Sequence, residues 1–246
     1  MIDEESRRKL RELGLGDMVE ALDIQEADRS YMAVPFDDRV RLLVDYTYEA
    51  KRQSSVKRFT ERARLRFPDA DMADMIYEGR GLDEILIRET GTCQFMRSQA
   101  NVIIEGCTGT GKTFLACCIA KQACRMRMSA RYVRLPDLLM ERDELAATER
   151  SDTKILRKYA RYDLLVIDEW LTQDIDQRDV GFLFNLIERR YLRKSTVVCS
   201  LYSPADWHAR LGGSGEAESI ADRLSEGAIR IDMGEANVRR LTAGKR

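Results

Sequence analysis

Residues 106–113 read GCTGTGKT, between the apolar run NVIIE (101–105) and the helical stretch TFLACCIAKQACRM (113–126). The octet fits G-x-x-x-x-G-K-[ST], a pattern in which a strand feeds a glycine-rich turn and the turn feeds a helix. Gly106, Gly109 and Gly111 permit backbone angles closed to other residues. With Cys107, Thr108 and Thr110 they supply N–H groups that point inward to cradle phosphate oxygens. The dipole of the following helix favours the same anion. Lys112 brings a point charge to the β- and γ-phosphates of ATP, and the Thr113 hydroxyl is suited to ligate Mg²⁺.

Reading on from this loop, strands alternate with helices. ARYVRL (130–135), DLLVID (163–168), STVVCSLY (195–202) and AIRIDM (228–233) read as strands, with helices over 178–193 and around 216–226. Residues 142–153, RDELAATERSDT, are polar and read as a mobile loop. Five short strands separated by helices imply an α/β fold with a parallel five-stranded sheet covered on both faces. The 163–168 strand ends in Asp168, the expected Mg²⁺ partner of such a loop. Glu169 follows, placed to orient and deprotonate a water, which favours hydrolysis over transfer to a small acceptor. One strand lies between them in sequence, and the Asp168 strand is expected next to the 101–105 strand in space.

Before the loop the chain reads as successive helices. Leu10, Leu13, Met18, Val19 and Leu22 recur at helical spacing, and a long helical pattern runs from Phe36 to Ala63. The change in texture predicts a small all-helical N-terminal domain over 1–95, serving DNA or partner binding and oligomerisation, and an ATPase domain over 96–246. The long helix and its continuation carry Lys51, Arg52, Lys57, Arg58, Arg62 and Arg66, a stripe suited to sequence-independent contact with double-stranded DNA. Lys121, Arg125, Arg127, Arg131 and Arg134 form a second basic candidate.

Composition narrows the alternatives. The 246 residues carry a formal net charge of −1, which by itself points to no nucleic-acid partner, so local patches decide. Six cysteines without a C-x-x-C pair and one histidine argue against zinc and against His-dependent nucleophilic catalysis; buried thiols are expected. No stretch is apolar enough to span a membrane, so a cytoplasmic protein is expected.

GCTGTGKT, LLVIDEW (164–170), ADWH (205–208), IADRL (220–224) and the RID…VRR ending (230–240) together resemble IstB-like proteins, as do GDMVEAL (16–22) and FDDRVRLLVDYTYEAKR (36–52). These are AAA+ ATP-binding helpers of insertion sequences, related to the helicase loader DnaC and the initiator DnaA. The resemblance implies an AAA+ fold, assembly with ATP on DNA as a homo-oligomer, and a transposase partner. It also implies that Arg223 is an arginine finger acting across a subunit interface, and that Arg239 is a sensor of the γ-phosphate. At the position of the family's polar sensor after the fourth strand stands Leu201, with Ser200 as the nearest polar substitute. Trp170 has no role that the sequence explains. A DnaC-like replicative helicase loader, a P-loop kinase for a small metabolite and a non-hydrolysing nucleotide-dependent scaffold are the alternatives.

Overall fold

The computed structural model describes residues 2–149 and 152–238. The chain divides into two compact units, Met1–Arg58 and Phe59–Arg246. In the first, α1 (Glu4–Glu12) and α2 (Gly16–Ala27) precede α3 (Phe36–Ala63), which runs on into the second unit. Asp3 caps α1 by accepting from the Ser6 N–H at 2.6 Å. The buried Arg7 pairs with Asp23 and, at 2.8 Å, with Glu26, both on α2. Val19, Ala21 and Leu43 supply this unit's small buried apolar set.

The second unit begins well before residue 95, where the change in texture had suggested a boundary. Ile87, on α4 (Glu84–Gly91), and Phe95 and Met96 beyond it are buried in the same cluster as Leu115 and Ile119 of α5 (Lys112–Arg125). Periodicity shows that a helix has an apolar face; it does not show which core that face covers.

The sheet comprises β1 (Val102–Glu105), β2 (Ala130–Arg134), β3 (Leu164–Trp170), β4 (Ser195–Ser200) and β5 (Ile229–Asp232), all parallel, in the order β2-β3-β4-β1-β5. The α/β fold with five parallel strands is therefore as the sequence predicts, but one neighbour relation is not. β4 lies between β1 and β3, so the Asp168 strand does not adjoin the phosphate-loop strand. Sequence order fixes neither neighbour, because each helical crossover can carry the chain past an existing strand.

Alternating side chains supply the two faces. Val102, Ile104, Val166 and Val197 join the α5 side, while Ile103, Leu165, Ile167 and Val198 join the side covered by α8 (Gln177–Arg190) and α10 (Gly215–Ser225). On α8, Val180, Phe182, Leu183, Leu186 and Ile187 are buried, while Tyr191, read from the sequence as inward too, is the half-buried C-cap; an Asp176–Asp179 capping box sets the helix start. The polar stretch expected to be a loop is largely helix: α6 covers Leu135–Glu149 and α7 covers Thr153–Ala160. Glu, Leu, Ala and Arg are good helix formers, and this propensity outweighs the missing apolar periodicity.

Candidate nucleotide-binding site

The phosphate loop leaves the buried strand β1 and ends at Gly111, the N-cap of α5, with φ of 92°. Gly106 and Gly109 also have positive φ, at 139° and 86°. A side chain at 106 would meet the Gly234 carbonyl at 3.0 Å, and one at 109 would meet the Asn237 amide at 2.6 Å. The loop is stapled to the segment after β5. Cys107 N–H donates to Gly234 O at 3.1 Å, and Val238 N–H donates to Gly109 O at 3.0 Å. Arg80 joins both by donating to Thr110 O at 2.6 Å and Met233 O at 3.2 Å. The Lys112 ammonium folds back onto the loop, donating to the carbonyls of Gly106 at 2.6 Å and Cys107 at 2.7 Å.

Facing the loop, the Asp168 carboxylate is only 3% exposed. It accepts from the Thr113 hydroxyl at 2.7 Å, from the Tyr132 hydroxyl at 2.7 Å and from the Glu169 N–H at 2.8 Å. Burial, reinforced by the Asp168 charge, lifts the Tyr132 phenol far above its ordinary pKa, so it donates as a neutral hydroxyl. A bulge aims the acidic pair. Ile167 pairs with Val198 and Trp170 with Ser200, so Asp168 and Glu169 together oppose Cys199 alone. Glu169 takes a left-handed backbone, with φ of 56°. Its carboxylate accepts from Arg66 at 3.3 Å and from Arg134 at 3.5 Å. Arg134 is also held bidentately by Asp137, and these charges raise its guanidinium pKa.

Two hollows flank the loop. One, of about 360 Å³, is lined by Thr108, Lys112, Thr113, Asp168, Glu169 and Leu201. The other, of about 310 Å³, is chiefly apolar, with Phe67, Met75, Ile76, Phe114 and Val238 beside Gly109 and Gly111. Sequence reading missed Phe67, Met75, Ile76 and Arg80, which lie far from the loop in the chain and carry no local signal.

The other expected residues fall as follows. Leu201 is 40% exposed in the first hollow, whereas Ser200 is buried and its hydroxyl accepts from Tyr202 N–H at 3.0 Å. Ser200 thus holds the turn and does not line the hollow. Trp170 is a core residue, packed edge-on against Trp207 at 5.6 Å between centroids. Arg223 on α10 lines neither hollow. It pairs with Glu188 at 2.7 Å and lies over the Phe184 ring at 5.3 Å. Arg239 lies outside the described residues. Of the basic stripe, Arg66 is engaged by Glu169 and lies beyond the end of α3, while Lys51 donates to Gly14 O at 2.6 Å. Five of the six cysteines are buried free thiols, and Cys107 in the loop is exposed.

The glycine cradle, the lysine, and a hydroxyl facing a buried carboxylate suit a nucleoside triphosphate with a divalent cation, both in the room a side chain would fill and in donor chemistry. On this sheet order they define a phosphate-loop nucleotide-binding protein. The chain belongs to the IstB-like ATP binding protein family, whose model matches residues 8–245. It is 31% identical over 201 residues to a protein of insertion sequence IS1162 from Pseudomonas fluorescens that is named for ATP binding, covering 81% of this chain and 87% of that one. The fold is similar to that of the DnaC helicase loader, with TM-score 0.53 and 22% identity over 61% of this chain and 86% of that one. It is also similar to a DnaA initiator solved with AMPPCP and single-stranded DNA, with TM-score 0.56 and 21% identity over 67% of this chain and 50% of that one. Among the described residues no helix is long and apolar enough to cross a membrane.

Proposed function

We propose that this ATP-binding protein hydrolyses ATP with Mg²⁺, assembles with ATP on double-stranded DNA, and there recruits or activates the transposase of its insertion sequence. The observation that carries the reading is the meeting of Thr113, Asp168 and Glu169 beside the phosphate loop. The loop N–H groups and Lys112 bind the phosphates, and the apolar hollow beside Gly109 takes the base. Thr113 and Asp168 would hold Mg²⁺, which when bound neutralises charge on the phosphates. Glu169 orients a water and accepts its proton, so that water adds to the terminal phosphorus and ADP leaves with its bridging oxygen. Arg223 serves a neighbouring subunit's γ-phosphate. Family membership and the insertion-sequence relative support the transposase partner, and the stripe Lys51, Arg52, Lys57, Arg58 and Arg62 supports duplex contact.

The test is phosphate release by the purified full chain with Mg²⁺, with and without duplex DNA. A slow rate raised by DNA is expected. Failure of a fluorescent ATP analogue to bind when Mg²⁺ is present overturns the reading. A second reading, a scaffold that binds ATP without turning it over, is favoured by Leu201 in the cleft and by the two arginines on Glu169. Under that reading, phosphate release stays at background even with DNA.

A further inference from the structure

β2 and β3 run side by side from Ala130 and Leu164 at one end to Arg134 and Asp168 at the other. The acidic pair occupies the far end. At the near end lies a separate groove of about 520 Å³, into which Arg62, Arg64, Arg131, Lys158 and Arg161 converge. No carboxylate lines it. Lys158 is paired with Glu141, but Arg62, Arg64, Arg131 and Arg161 make no ion pair among the described residues.

Arg131 is the informative member. It is only 6% exposed, its Nε has no hydrogen-bond partner, its Nη1 donates to the Arg62 carbonyl at 3.4 Å, and its guanidinium lies 6.0 Å from the centre of the Tyr159 ring. The comparison is Arg190, also buried but held by the Thr196 hydroxyl and the carbonyls of Tyr159, Tyr162 and Ser195. Arg190 is satisfied by the fold. Arg131 lacks such a set: the Glu141 charge that reaches it is already engaged by Lys158 and Tyr159, and its Nε stays without a partner, so its fork has donor capacity left for an anion. Guanidinium forks match phosphate oxygens two at a time. Two aromatic rings, Phe59 and Tyr162, border the cations, and the Arg161 guanidinium lies 5.4 Å above the Tyr162 ring. Asn, Gln, Asp and Glu, the residues that read base edges beside arginine, are absent from the lining, which suits contact with a backbone of any sequence.

We infer that this groove holds the sugar–phosphate backbone of DNA, with Arg64 and Arg161 as the outer phosphate contacts and Arg131 as the cation at its floor. The inference rests on the DNA-associated reading above and gives that contact a place at the end of the sheet opposite the nucleotide.

The test is binding of a labelled duplex by the full chain across a salt series, with an R64A/R161A variant, an R64K/R161K variant and a K51A/K57A variant of the helical stripe. Losing two phosphate contacts should make the slope of log affinity against log salt shallower by about two and lower affinity roughly tenfold at fixed salt. The lysine variant keeps the charge and should recover most of the affinity, and binding of an ATP analogue should stay unchanged in all three. Wild-type DNA affinity and slope in R64A/R161A overturn the groove. If K51A/K57A weakens binding at the same time, the DNA-associated reading survives without it. An absence of salt-dependent DNA binding by the unaltered chain overturns both.

Discussion

The Thr113 hydroxyl donates to the Asp168 carboxylate across 2.7 Å, joining the first turn of α5 to the end of β3 over 55 residues of sequence. In the proposed chemistry the same two oxygens share a cation. Asp168→Asn should therefore keep ATP binding while lowering phosphate release by about 10² or more, a loss of the size seen when an electrostatic group is removed from a reacting centre. Lys112→Ala should lose nucleotide binding itself. Titration with a fluorescent ATP analogue and a phosphate-release assay separate the two. An Asp168→Asn variant turning over at the wild-type rate refutes the metal role.

Glu169→Gln should retain ATP and slow turnover by about 10²–10⁴, the span attributed to a positioned general base. The ATP-bound assembly should then persist longer, read by light scattering after ATP addition. Wild-type turnover in this variant would remove Glu169 from the mechanism.

Arg66 and Arg134 hold the Glu169 carboxylate in competition with any water it would activate. These are half-exposed pairs, each worth about 0.2–1 kcal/mol. Arg66→Ala should accordingly raise DNA-free turnover by about two- to five-fold. A rate that does not move shows that the pair is no brake.

Arg223 faces Glu188 within its own chain and does not face the phosphate loop. If it serves a neighbour, Arg223→Ala alone should lose about 10³ or more in turnover. Mixing it with inactive Lys112→Ala chains should restore part of the activity, since each mutant supplies what the other lacks. A mixture as inactive as its components refutes action across subunits.

Leu201 puts a branched alkyl group in the hollow that holds Asp168 and Glu169. Leu201→Asn offers a polar partner to a water there. It should raise turnover several-fold with ATP affinity unchanged, and an unchanged or lower rate counts against the cleft assignment.

What the sequence disclosed was local in the chain. The loop at 106–113 and the Asp168–Glu169 pair each occupy a single run of residues, so spacing alone exposed them. The Arg66 and Arg134 contacts to Glu169 join positions 103 and 35 residues apart, and no local pattern encodes them. The bulge was hidden for another reason: an unbroken apolar strand ending DEW gives no sign that two of its residues will oppose one. The helix over 142–149 was hidden by its composition, because charged and small residues give no apolar period while leaving helix propensity intact.

Because β4 runs between β1 and β3, the glycine cradle and the acidic pair leave the sheet two strand spacings apart, roughly 10 Å. Neighbouring strands would leave half that clearance. The extra width is a slot whose floor is the end of β4, where the buried Cys199 lies beneath the cleft and Leu201 reaches its surface. Residues there can tune what happens between cradle and carboxylates without belonging to either.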